Sequence, residues 1–113
     1  AEPAVQALER RLAASPFAAP ETPELQELGL GPRQVAAAET AGRLLRVGPD
    51  VVLLPSAPAL AMRLLVGLPQ PFTLSAARQA LGTTRRVAVP LLELLDRRGW
   101  TRRVDGTLRQ VTR

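Results

Sequence analysis

The sequence predicts a mainly α chain with small β-hairpins, an α+β fold in which one small unit occurs twice. Three observations carry this expectation. Apolar residues make up 46% of the chain, yet the aromatics are only Phe17, Phe72 and Trp100, so the core must be built from aliphatic side chains on helices. Glycine and proline punctuate those helices at the positions where helices stop and start. The punctuation then recurs in order: Pro-Phe at 16–17 and 71–72, a glycine stop at 29 and 82, another at 42 and 99, and a hairpin glycine at 48 and 106, with offsets of 55, 53, 57 and 58 residues.

In the first copy, Val5, Leu8 and Leu12 lie at helical spacing between Pro3 and Ala14, with Glu9, Arg10 and Arg11 on the other side. Ser15-Pro16-Phe17 ends that helix. Thr22 is expected to cap a brief second helix whose first residue is Pro23 and which stops near Gly29. Leu30-Gly31-Pro32 turns into a third helix, carrying Val35 and Ala38 and ending at Gly42. Strands from Arg43 to Val47 and Val51 to Leu54 then flank Gly48-Pro49-Asp50 as a hairpin.

The second copy starts after Ser56 with a helix that has Pro58 in its first turn, Leu60, Leu64 and Leu65 on its face, and an end near Gly67. Thr73 is expected to cap a helix from Leu74 to Leu81, stopped by Gly82. A third helix runs from about Thr84 to Arg98. Its buried stripe is Ala88, Leu91, Leu92 and Leu95, and Glu93 and Arg97 sit four apart on the opposite face, spaced to pair. Pro90 inside this helix deletes one backbone hydrogen bond and predicts a kink or an irregular first turn. After Gly99, strands Trp100–Val104 and Thr107–Val111 join through Asp105-Gly106, a dipeptide favoured in tight hairpins. Three helices and a two-stranded wing make the winged-helix variant of the helix-turn-helix. The expected architecture is therefore two tandem winged helices, residues 1–55 and 56–113, each marginal alone and expected to pack on the other.

Charge separates the copies. Residues 1–66 hold six arginines and seven acids, whereas residues 67–113 hold nine arginines and three acids. The second half is thus the one expected to meet a polyanion. All the basic residues are arginine, whose planar fork suits phosphate, although arginine-rich codon usage explains the missing lysine. With no cysteine and no histidine, disulfides, Cys/His metal sites and His or Cys catalysis are excluded. No Gly-rich phosphate loop or supported acid pair is present either, so no enzyme, cofactor or metal is expected. Arg63 and several prolines interrupt the apolar region from Val51 to Leu74, which leaves no stretch of the ~20 apolar residues a spanning helix needs. The N-terminus has no signal-peptide order and no initiator Met, so the chain is expected to be processed or part of something longer, in a cytoplasmic setting.

Arg85 and Arg86 are the informative pair. They occupy the first turn of a helix, where the dipole is already positive and where acids stabilise by ~0.3–1 kcal/mol each. Cations there work against the helix, so a ligand is the better reason for them. A phosphate would meet backbone N–H groups, the Thr83 or Thr84 hydroxyl and both guanidinium groups together. On the wing, one of Arg102 and Arg103 should face the ligand and the other the helices, with Arg109 extending the basic surface. Trp100, Phe17 and Phe72 are expected in the core. The first copy has only Arg33, Arg43 and Arg46 at matching places and is expected to be a spacer or packing partner.

These residues resemble the C-terminal winged-helix region of the bacterial selenocysteine-specific translation elongation factor, SelB. The resemblance rests on Phe72-Thr73, Leu81-Gly82-Thr83-Thr84-Arg85-Arg86, Leu91-Leu92-Glu93-Leu94-Leu95-Asp96-Arg97, and Gly99 with Thr101-Arg102-Arg103. It is specific over about residues 72–104. Position 87 is Val where some members carry an aromatic residue. The resemblance implies that the last winged helix binds the selenocysteine-insertion hairpin of an mRNA through Thr84, Arg85 and Arg86, with Arg78, Arg102 and Arg103 as lesser contacts. It also implies the ribosome as a further partner, no membrane association, and GTPase and tRNA-binding domains in an N-terminal part of the parent chain. On the residues alone, a winged-helix DNA-binding regulator is the rival reading. A winged helix for protein contacts fits the basic second copy less well.

Overall fold

The structure is a computed structural model and describes residues 2–112. It divides into two compact units, Ala1–Ala57 and Pro58–Arg113.

In the first unit, α1 (Glu2–Ala14) buries Val5, Leu8 and Leu12 along one stripe. α2 (Thr22–Glu27) is capped one residue earlier than the sequence suggests. Glu21, in extended backbone, is the N-cap, and its N–H donates to the Glu24 carboxylate at 3.0 Å, while Thr22 is already helical. α3 (Pro32–Thr40) opens on its proline and buries Val35 and Ala38. The stops at Gly29 and Gly42 adopt φ of 84° and 75°, which side chains with a Cβ resist. Strands β1 (Leu45–Gly48) and β2 (Val51–Leu53) pair antiparallel, with an irregularity between Arg46 and Gly48.

The second unit is built around α4 (Ala57–Leu65), β3 (Phe72–Thr73), α5 (Leu74–Leu81), α6 (Arg85–Arg97), β4 (Thr101–Arg103) and β5 (Leu108–Val111). On α4 the buried stripe is Ala57, Ala61 and Leu65, at strict i, i+4 spacing, which turns Leu64 outward to 45% exposure. Thr73 caps α5 as expected, its Oγ1 accepting from Ala76 N–H at 3.0 Å. α6 carries the densest core, with Val87, Ala88, Leu91, Leu92 and Leu95 all buried. Each fully buried leucine of that stripe stabilises by ~1.5–3 kcal/mol. The helix continues through Pro90. Pro90 has no N–H to donate to the i−4 carbonyl, that of Arg86.

The wing is larger than a hairpin. β3 pairs with β5 through Phe72↔Arg109 and Thr73↔Leu108, making a three-stranded sheet of order β3-β5-β4. A two-residue strand that runs straight into a helix cap leaves no alternation pattern in the sequence, which is why only two strands were expected. The stop after α6 is a Schellman arrangement: Trp100 N–H donates to the Leu95 carbonyl at 3.0 Å around Gly99 at φ 76°.

Candidate nucleic-acid interface

Two local structures build the basic end of α6. Gly82, at φ 63° and ψ 37°, ends α5 in the left-handed conformation that reverses the chain. Thr83 N–H donates to the Arg78 carbonyl at 3.1 Å, and the Arg78 guanidinium reaches the Thr83 carbonyl at 3.4 Å. Half-buried Arg78 is therefore tied to the turn rather than extended from it. Thr84 is the N-cap of α6 in extended backbone, φ −101° and ψ 166°, yet its side chain makes no capping bond. A threonine at this position ordinarily satisfies one of the orphan N–H groups of the first turn. Here the exposed hydroxyl is left for an external acceptor or donor. Its carbonyl accepts from Ala88 N–H at 2.9 Å, which fixes the turn.

Arg85 is exposed at the first helical position, and Arg86 beside it is half-buried. Val87 is buried with 2% exposure, so the position where some SelB winged helices carry an aromatic belongs to the core here. The turn thus offers N–H groups, a hydroxyl and a guanidinium to an anion, with no helical acid in the first turn to compete.

On the wing, Thr101 faces inward at 1% exposure, and both Arg102 and Arg103 are exposed. The expectation that one of them lies against the helices is corrected: Thr101 fills that place. Arg103 donates to the Gly106 carbonyl at 3.1 Å and braces the wing turn, whereas Arg102 extends from the other face.

Arg109 does not extend the basic surface. It is 7% exposed, and its Nε and Nη2 donate to the Asp96 carboxylate at 3.0 Å, so its charge is neutralised beneath the sheet. The same carboxylate accepts from Thr101 Oγ1 at 2.7 Å and locks α6 to the wing. Sequence spacing misses this because the partners are 13 residues apart on a helix and a strand. The Glu93–Arg97 pair spaced on α6 is not among the ion pairs of the described residues; both side chains are exposed. Phe17 and Phe72 are core, at 7% and 3% exposure, but Trp100 is not: it stands 37% exposed with the Arg98 guanidinium 5.1 Å from its ring centroid.

Among the described residues no helix is long and apolar enough to cross a membrane, and no three His, Cys, Asp or Glu side chains gather as metal ligands would.

Residues 63–109, which run from the end of α4 through β4 and into β5, match the family model described as elongation factor SelB, winged helix. Over these residues the second unit is similar to the SelB winged-helix family. Among solved structures, the chain is 25% identical to a bacterial selenocysteine-specific elongation factor, EF-Sec, with a TM-score of 0.77 over 97% of this chain. It spans 18% of that factor's length. The mRNA-binding domain of SelB from E. coli, solved in complex with SECIS RNA, shares the fold at a TM-score of 0.71 and 19% identity, covering 97% of this chain and 98% of that one. No curated protein sequence gives a significant match. The match includes the α5–α6 turn and β4, so Arg78, Thr84, Arg85, Arg86, Arg102 and Arg103 all lie inside the matched region.

Proposed function

We propose that this chain is an RNA-binding, non-catalytic module of a selenocysteine-specific elongation factor, and that its second unit holds the selenocysteine-insertion hairpin of an mRNA. The observation that carries this is the α5–α6 turn, where an uncommitted Thr84 hydroxyl and an exposed Arg85 stand at a helix N-terminus within a SelB-type winged helix. The two solved relatives support it, one being an elongation factor of this kind and the other an mRNA-binding domain with its RNA.

The chemistry follows from the turn. Thr84, Arg85 and Arg86 contact phosphates, with Arg102 and Arg103 on the wing adding charge and Arg78 holding the turn in shape. Phosphate contacts set affinity and register; an A-form stem hides its base edges in a deep, narrow groove, so specificity comes from an unpaired base in a loop or bulge. The first unit, whose basic residues lie elsewhere, acts as a spacer or packing element. GTP hydrolysis and tRNA binding belong to other domains of the parent factor, which works in the cytoplasm and meets the ribosome.

Gel-shift titrations of this chain against a SECIS hairpin, a loop-scrambled hairpin and duplex DNA, each at two salt concentrations, test the reading. Preference for the intact hairpin is expected, and equal affinity for all three would exclude it. The Arg85→Ala, Arg86→Ala double variant should bind more weakly and lower the salt slope by about 2, one for each lost phosphate contact. Unchanged binding would move the site elsewhere.

A further inference from the structure

Trp100 is the chain's one tryptophan, and the fold does not need it as core, since Thr101 takes the inward place at the start of β4. The Trp100 carbonyl accepts from Thr112 N–H at 3.0 Å, continuing the ladder one rung beyond Thr101↔Val111. Alternation along that ladder puts Trp100 and Arg102 on the outer face of the sheet, away from Thr101 and Arg109. β4 is an edge strand, so this face has a free margin. Arg98 lies 5.1 Å from the indole centroid, and Arg97, Arg98 and Arg102 are all exposed.

Among the described residues of the second unit, no carboxylate forms an ion pair with this group. Of the three acids in the second unit, Asp96 is engaged with Arg109 and Thr101, and Asp105 accepts from the Thr107 and Leu108 N–H groups; Glu93 lies a turn or more back on α6. An exposed indole flanked by guanidinium groups with no carboxylate in attendance is the combination that stacks a nucleobase while holding its phosphates. The group is also separate from the proposed turn. Arg85 and Arg98 lie at opposite ends of α6, about 20 Å apart at 1.5 Å per residue.

We infer that Trp100, with Arg98 and Arg102, is a second RNA contact that stacks one unpaired nucleobase at the wing end of α6. This rests on the RNA-binding reading and adds to it a site that the helix N-terminus does not contain. The base comes from the hairpin's own loop or bulge, or from the single strand flanking the stem; the recognition chemistry is the same.

Because the indole is unique, its emission reports the contact directly. The chain is titrated with a blunt SECIS hairpin and with the same hairpin carrying a six-uridine single-stranded extension, reading Trp100 fluorescence and gel shift in parallel. Quenching at saturation is expected with at least one of them: with both if the base is internal, with the extended RNA alone if it is flanking. Trp100→Ala should weaken binding of the quenching RNA by about tenfold, and Trp100→Phe should restore most of it, as stacking predicts. Arg85→Ala should shift the titration to higher RNA concentration but leave the saturating quench intact. A gel shift with no change in Trp100 emission would sink the stacking site and leave the RNA-binding reading standing. Absence of any gel shift would remove both. If hexaglutamate displaced the RNA from Trp100 as readily as a uridine octamer does, the face would be a site for acidic peptide instead.

Discussion

Removing the Asp96 carboxylate should unlatch the second unit, because that one group joins α6 to two wing strands. It accepts from Arg109 Nε and Nη2 at 3.0 Å and from Thr101 Oγ1 at 2.7 Å. The Arg109 side chain is 8% exposed and that of Asp96 is 24% exposed. Breaking a buried pair by deleting one partner costs about 3–5 kcal/mol, since the remaining charge is left uncompensated. Water reaching the vacated carboxylate position places this case near the low end, at about 3 kcal/mol, and the stranded Thr101 hydroxyl adds about 1. A unit of this size has a total stability of only about 3–8 kcal/mol. Asp96→Ala should therefore lower the midpoint of the second unit by at least about 12 °C. Urea and thermal unfolding followed by Trp100 emission isolates this unit, because the first has no tryptophan. The double variant Asp96→Ala, Arg109→Met should recover much of the loss, since an apolar chain suits the buried place better than an unpaired guanidinium. A loss under about 1 kcal/mol, or a double variant no more stable than Asp96→Ala, would refute the latch.

Three further outcomes follow from the same geometry. Arg85→Glu should raise thermal stability by about 0.3–1 kcal/mol, as an acid in the first turn of α6 complements the dipole, while weakening hairpin binding; a variant that gained both or lost both would contradict the separation of fold and function at this residue. Thr73→Ala removes the cap bond to Ala76 N–H and should cost about 0.5–2 kcal/mol in urea unfolding. Asp105 is held below its usual 3.8 by the Thr107 and Leu108 N–H groups that donate to it, so its contribution to the wing turn is present at neutral pH and lost as pH falls below about 4 through the lowered value. Asp105→Asn should flatten that acid limb, as measured by Trp100-monitored unfolding from pH 6 to pH 2.5.

How much of this was legible in the sequence depended on whether a feature is local. The glycine stops at 29, 42, 82 and 99 all have positive φ, and the Thr73 cap and the α6 stripe fall where periodicity puts them. Each is decided within one or two helical turns. What the sequence misplaced depends on partners far along the chain. Arg109 reads as surface until Asp96 is seen beneath it, β3 has no pattern of its own until β5 lies beside it, and Trp100 reads as core until Thr101 is found in the inward place. At the candidate site, the charge of the first turn could be read, but the idle Thr84 hydroxyl could not, since a threonine before a helix predicts a made cap.

Counting arginines would have ranked the two units by charge alone, yet the structure shows why number is the weaker guide. In the first unit Arg11 pairs with Glu24, Arg43 with Glu2 and Glu9, and Arg46 with Glu39. Hydrogen bonds to Glu9 and Glu2 raise Arg43 above its usual value, Arg43 lowers Glu9 below its own, and the cluster joins α1 to the approach to β1. The first unit thus commits Arg11, Arg43 and Arg46 to its own fold, while Arg10 and Arg33 stay exposed. In the second unit the one carboxylate well placed to do the same, Asp96, is taken by Arg109, and Asp105 is taken by the wing turn. Arg85, Arg97, Arg98 and Arg102 are thereby left facing solvent. Glu93, the remaining acid of that unit, is exposed and forms no ion pair among the described residues, so the exposed arginines fall in two places, the turn at Arg85 and the outer wing face at Trp100.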